Sequence, residues 1–278
     1  MSARRAPGSA RDPELEAGSA AHYEDPAHYT KTYDGRTDDV RYYVELAASR
    51  SPSGPVLEYG CGNGRIAIPL ARAGIEVSGV DLSAPMLADL RVRLKGEAPQ
   101  VRKRVRVQRG DMRTTRVGRR FPQIFCAFNT LLHLYTRDDV ERFLARVARH
   151  LEPGGELVFD VSIPQPPELA RDPSRAYRTK PFMYPLEGGG SVRVGYAERF
   201  DYDPVRQVLF VAMEFTPEDG RDPWMTPLAH RQFYPQELEA LLHYNGFAIT
   251  EQYGGFDRSP LAADSATNLV HCKLRRGS

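Results

Sequence analysis

The stretch Pro55-Val56-Leu57-Glu58-Tyr59-Gly60-Cys61-Gly62-Asn63-Gly64-Arg65 decides the fold. Val56 and Leu57 read as a short buried strand. Glycines at 60, 62 and 64 then turn the chain sharply, and Ile66, Ile68, Leu70 and Ala71 follow as a helical pattern. A strand, a glycine turn and a helix make the first unit of a nucleotide-binding α/β sheet. Glycines there allow a tight turn and let a ligand lie against main-chain N–H groups with no Cβ in the way.

Working outward, Glu76 to Asp81 reads as a second strand ending in an acid. Asp81 lies 21 residues beyond Gly60, where an acid can take both hydroxyls of an adenosine ribose. A third strand, Val105 to Val107, ends at Gly110-Asp111-Met112. Gln123 to Phe128 is apolar enough for a central parallel strand and ends in Asn129-Thr130-Leu131-Leu132-His133. Ligands bind outside such strand ends, so Phe128 to His133 should border a reaction site.

These pieces together resemble the class I S-adenosylmethionine-dependent methyltransferases, over roughly residues 50 to 163 and again at the C-terminus. The resemblance implies a Rossmann-like α/β fold, with seven strands, mostly parallel, and one antiparallel strand. It implies that Asp81 holds the cofactor ribose, that Leu82 and Met86 flank the adenine, and that Asp111 takes its amino group beside Met112. Glu58, the cradle Gly60, Cys61 and Gly62, and Phe128 complete the expected S-adenosylmethionine set, with Tyr33, or alternatively Tyr23 or Tyr29, from an N-terminal segment over the methionine end. Within the family, the likeness is to bacterial sugar-amine and amino-acid N-methyltransferases.

A nicotinamide dinucleotide oxidoreductase is the rival reading. Here the third glycine comes one residue early, as G-x-G-x-G with Arg65 next. Glu58 would repel a pyrophosphate but favour a ligand carrying a sulfonium and an ammonium. A protein that binds S-adenosylmethionine without transferring from it is a third reading, separable only by turnover.

Composition narrows the partners. The chain has 278 residues, 41% apolar and 27% charged, with a net charge of +2, so the whole molecule offers no argument for a nucleic-acid or membrane partner. Cys61, Cys126 and Cys272 form no C-x-x-C pair and fit neither a zinc site nor a disulfide framework, so a reducing cytoplasm is the simple inference. Residues 91–120 hold twelve Arg or Lys against Glu97 and Asp111. Without aromatics for base stacking, this run reads as a solvated face. Methyltransferases of nucleobase amines carry an Asn or Asp, two prolines and an aromatic after the fourth strand, and this chain does not. No metal-ligand constellation is visible. The expected partner is a small-molecule acceptor, and a homodimer is left open.

Residues 1–20 have the composition of a disordered tail, and 21–49 form a tyrosine-rich segment expected to cover the cofactor. The core takes residues 50–163 and 233–276. Thr136 with Asp139 marks a capped helix. The insertion, 164–232, reads as loop up to 190 and then as a two-strand hairpin through Val192 to Tyr196 and Val208 to Ala212, serving as a substrate lid. Methyl transfer from a sulfonium needs alignment, exclusion of water and, for an amine or hydroxyl, a base. His133 is the candidate base. Tyr23, Tyr29, Tyr184, His230, Arg231, Tyr234 and Asp257 are the candidate acceptor contacts.

Overall fold

A computed structural model describes residues 12–49, 54–186 and 189–275. Helices α1 (Pro13–Ala20), α2 (Pro26–Tyr33) and α3 (Asp38–Ser49) come first. Strands and helices then alternate as β1 (Val56–Tyr59), α4 (Ala67–Arg72), β2 (Val77–Asp81), α5 (Ala84–Lys95), α6 (Pro99–Arg104), β3 (Val105–Arg109), β4 (Phe121–Cys126), α7 (Arg137–His150) and β5 (Leu151–Ser162). A short helix α8 (Pro166–Leu169) leads into β6 (Tyr177–Pro185), β7 (Ser191–Asp203), β8 (Val208–Pro217) and β9 (Trp224–Arg231). The chain closes with α9 (Pro235–Tyr244), β10 (Phe247–Tyr253) and β11 (Thr267–Leu274). No helix among the described residues is long and apolar enough to cross a membrane.

The chain divides into two compact units, residues 34–163 with 233 onward, and residues up to 33 with 164–232. The first holds a seven-stranded sheet in the order β10-β11-β5-β4-β1-β2-β3. β1, β2, β3, β4 and β5 pair in parallel, and β11 runs antiparallel to both β5 and β10. Alternating side chains feed two cores, one on each face. Leu57, Tyr59, Ile124 and Cys126 join Phe143, Leu144 and Val147 of α7, while Val56 and Phe125 join Tyr43 of α3 and Leu70 of α4. A central parallel strand buried on both faces must be apolar throughout, as Phe121–Cys126 largely is. The chain runs outward from β1 to β2 and β3, then returns to build β4 and β5 on the other side of β1. The topological switch point therefore lies between β1 and β4, and a crevice opens there beyond the strands' carboxyl ends.

The second unit corrects two expectations. The insertion is a four-stranded antiparallel sheet, β6-β7-β8-β9, and larger than a hairpin. Pro181 and Pro185 in β6 made that outer strand read as loop, and the other outer strand, β9, which the sequence reading left unassigned, carries Pro227. Proline is tolerated there because an edge strand need not donate every N–H, and β6 also breaks register between Thr179 and Phe182. The second correction concerns the tail. Residues 1–11 lie outside the described residues, but Pro13–Ala20 is a helix capped by Asp12, whose carboxylate accepts from the N–H of Glu14 at 3.1 Å. Arg206, whose side chain is 9% exposed, bonds Asp12 at 2.8 Å, so the insertion itself anchors this helix. Composition could not show it, because the partner lies 194 residues away.

Candidate active site

The glycine turn is built as the spacing requires. Gly60 and Gly62 both have positive φ, +71° and +51°. A Cβ on Gly60 would lie 2.4 Å from the Thr130 side chain, so the turn after β1 and the tail of β4 meet with no room for a larger residue. Asp81, at the end of β2, fastens the turn: the Gly62 N–H donates to Oδ2 at 2.7 Å and the Ser83 N–H to Oδ1 at 2.8 Å. The Leu82 N–H is a third backbone donor to this carboxylate, whose four acceptor sites still leave room for a hydroxyl donor. Burial raises the Asp81 carboxyl from its ordinary value, against the backbone N–H groups that lower it.

Glu58 is the unusual group. It is buried, and its Oε2 has no hydrogen-bond partner. Burial pushes its carboxyl up to about 8, with Arg65 opposing and Asp81 adding to the rise. An unpartnered buried carboxylate oxygen costs free energy unless something supplies a donor or a positive charge. A cationic ligand beside the glycine cradle does both, so the residues present fit S-adenosylmethionine.

Around this cradle Leu82 is 58% exposed, a large apolar side chain left in solvent next to Asp81. Met86 is buried, with its methyl 3.2 Å from where a Gly62 Cβ would sit, and Cys61 is buried against Gly79 of β2. Met112 packs against one core. Asp111 is occupied: the Arg113 side chain donates to both its oxygens, and the same guanidinium reaches Asp139, the acid that completes the Thr136 capping box of α7. Burial alone would raise Asp111, but the Arg113 side chain and main-chain N–H win and hold it below the usual carboxylate range.

The tail of β4 turns through two consecutive left-handed residues, Phe128 (φ +56°) and Asn129 (φ +63°). Asparagine tolerates this region, but for an aromatic residue it is strained by ~1–3 kcal/mol. The carboxyl end of β5 holds the pair. Asp160 accepts from the Phe128 N–H at 2.9 Å and from the Tyr43 hydroxyl at 2.7 Å. Its carboxyl is pushed up to about 6 by burial, against those two donors. Ser162 and Asn129 exchange bonds, the Ser162 N–H donating to Asn129 Oδ1 at 2.7 Å and the Asn129 amide to Ser162 Oγ at 3.0 Å. The Phe128 ring lies 4.2 Å from the Arg65 guanidinium, which is paired in turn with buried Asp39. Arg36, Asp39, Phe128, Asn129, Asp160 and Phe256 are among the residues lining an open cavity of about 330 Å³. His133 ends the 3₁₀ turn Thr130–His133 beyond this pair, half-buried, its Nδ1 3.2 Å from the Tyr135 hydroxyl.

The remaining candidates make other contacts. Tyr234 is 41% exposed at the start of α9. Exposed Asp257 turns its carboxylate onto the Ser259 N–H at 3.0 Å, while its neighbour Phe256 lines the cavity. Tyr23, Tyr29, Tyr33, Tyr184, His230 and Arg231 belong to the other unit. There the Tyr33 hydroxyl is 3.0 Å from His22 Nε2, the Tyr184 hydroxyl donates to Asp25 at 2.6 Å, and Arg231 donates to Gln207 and to the Gln232 carbonyl. Asp160, Asp39, Arg36 and Tyr43 escaped the sequence reading as site residues, and Asn129 was placed at the border of the site without a role of its own. The one available signal was an acid at 160 inside the apolar run Leu157 to Val161.

Residues 56–155 match the methyltransferase domain family. The dTDP-3-amino-3,4,6-trideoxy-alpha-D-glucopyranose N,N-dimethyltransferase of Streptomyces venezuelae is 30% identical over 131 residues, 47% of this chain and 51% of that protein. The chain thus spans about half the length of the curated relatives it matches first. Among solved structures, the CcbJ methyltransferase from Streptomyces caelestis superposes with a TM-score of 0.73 at 27% identity, covering 95% of this chain and 99% of that one. The glycopeptide N-methyltransferase MtfA, solved with S-adenosylmethionine, superposes with a TM-score of 0.58 at 25% identity, over 86% and 94%.

Proposed function

We propose that this chain, a class I S-adenosylmethionine-dependent methyltransferase of the small-molecule branch, transfers a methyl group to an amine nitrogen of a small acceptor. The observation that carries the reading is the buried, unpartnered Glu58 oxygen beside the glycine cradle at the switch point. Support for nitrogen comes from relatives named for N-methylation.

In this reading Glu58 meets the positive charge of the ligand, and the main chain of Gly60, Cys61 and Gly62 lies along it. Asp81 accepts from the ribose hydroxyls with its remaining lone pairs. Leu82, Met86 and Met112 wall the adenine, and Asp111 accepts from its amino group once Arg113 gives up one of its bonds to that carboxylate. The bound cofactor supplies a methyl carbon already activated by a positive sulfur. What remains for the protein is to align the nucleophile, keep water out and receive a proton. His133 receives it at an imidazole nitrogen, with Tyr135 fixing the ring from Nδ1.

The test is transfer of a labelled methyl from S-adenosylmethionine to a panel of amines and phenols, with the product site located by mass spectrometry. Label on nitrogen is expected; label on oxygen only would refute the amine assignment. His133→Ala should lower turnover by ~10²-fold, the usual scale for a general base, while S-adenosylhomocysteine affinity stays near wild type. Full turnover of that variant from pH 6 to 9 would make His133 structural.

A further inference from the structure

The left-handed pair Phe128–Asn129 sits at the switch point, between the glycine turn of β1 and the end of β5. Nothing in the local sequence demands it. A glycine at either position would adopt the same backbone without strain. Instead the chain keeps a phenylalanine there and devotes three side chains to holding it: Asp160 on the Phe128 N–H, Tyr43 on Asp160, and Ser162 clasped with Asn129. Strain that the surroundings over-determine in this way, in the crevice where ligands bind, is a motive for a functional hypothesis. The pair also opens the turn that carries His133, so its geometry sets where that turn starts.

We propose that Asn129, clasped by Ser162, is a positioning residue that holds Phe128 and the start of the His133 turn against the reacting centre. This deepens the methyltransferase reading and rests on it. The cofactor cradle of Glu58, Gly62 and Asp81 uses none of these bonds, so the two contributions can be separated.

Two ligands separate them without an acceptor. Sinefungin carries an amine where the transferable methyl stands, and S-adenosylhomocysteine carries nothing there. Calorimetry would compare both on the full chain, for wild type and for Asn129→Gly, Ser162→Ala and Asn129→Asp. The glycine variant relieves the strain at 129 and removes the clasp, and its melting temperature should not fall. It should weaken sinefungin about fivefold or more while S-adenosylhomocysteine stays within about twofold. Ser162→Ala should act in the same direction, and Asn129→Asp, which keeps the acceptor for the Ser162 N–H, should restore much of the loss. Unchanged affinity for both ligands in Asn129→Gly overturns the proposal, as does an equal loss of both, which would make the pair part of the cradle. If wild type binds neither ligand, the cofactor reading itself fails and the proposal falls with it.

Discussion

Glu58 holds a proton that an ordinary glutamate would have lost. Its folded carboxyl titrates at about 8, against 4.5 when exposed in the unfolded chain. The folded state therefore binds more protons across that window, and its stability falls as pH rises from about 4.5 to 8. A cationic ligand favours the ionised form, so binding must expel the proton. At pH 7, S-adenosylhomocysteine should release up to about one proton, read as a buffer-dependent binding enthalpy in two buffers of different ionisation heat. Glu58→Gln should abolish the release. Equal enthalpies for wild type in both buffers would show that the ligand ammonium is held elsewhere. At this scale Glu58, Asp81 and Asp111 were legible because each stands at a fixed place relative to its own strand end. The roles of Asp160 and Asn129 were not. Asp160 meets Phe128 and Asn129 meets Ser162 more than thirty residues along the chain, so no local pattern reports these contacts.

The elements of the insertion show where periodicity fails. The alternation in β7 and β8 was readable because both strands are central and one face is buried. The edge strands β6 and β9 were hidden by their prolines, and α1 by its weak amphipathicity and distant anchor. The 3₁₀ turn Ala21–Tyr23 carries a different consequence. It buries His22, whose Nε2 faces the Tyr33 hydroxyl while Nδ1 has no partner. Burial pulls this histidine down to about 4, and nearby His28 adds to the fall. The unfolded chain takes up a proton near 6.5 and the folded one does not. The stability this supplies is complete above pH 6.5 and is lost as pH falls toward 4. The loss can reach roughly 3 kcal/mol at pH 4. Trp224, the one tryptophan, lies in the same unit, so its fluorescence in urea titrations from pH 7 to 4 reads the effect. His22→Gln should flatten the slope; an equally steep slope in that variant would assign the acid sensitivity to other groups.

At the scale of the whole molecule the parallel sheet and the bounds of the insertion, 164–232, were legible, but the grouping of the residues up to 33 with that insertion was not. A repeated strand–turn–helix pattern with an acid at each strand end specifies one topology with few rivals. That grouping is set by packing between segments far apart in sequence, residues up to 33 with 164–232, and no local signal reports it. The division has a functional consequence. Glu58, Gly60, Cys61, Gly62, Asp81, Leu82, Met86, Asp111, Met112 and Phe128 all belong to the sheet unit, whereas Tyr184, His230 and Arg231 belong to the other. The insertion leaves the chain after β5 and rejoins it before α9, so it can be exchanged without touching a strand of the large sheet. Replacing residues 164–232 by the corresponding segment of CcbJ should leave S-adenosylhomocysteine affinity within about twofold, since none of the proposed cradle bonds is removed. It should change which amines in the panel accept the labelled methyl, because the cradle alone does not distinguish one acceptor from another. Melting followed by circular dichroism confirms that the exchanged protein is folded before either comparison is made. A tenfold or greater loss of S-adenosylhomocysteine affinity in a folded exchange protein would show that the cofactor site is not self-contained in the sheet unit. An unchanged amine profile would return acceptor choice to that unit, where Phe256 and Asn129 line the cavity.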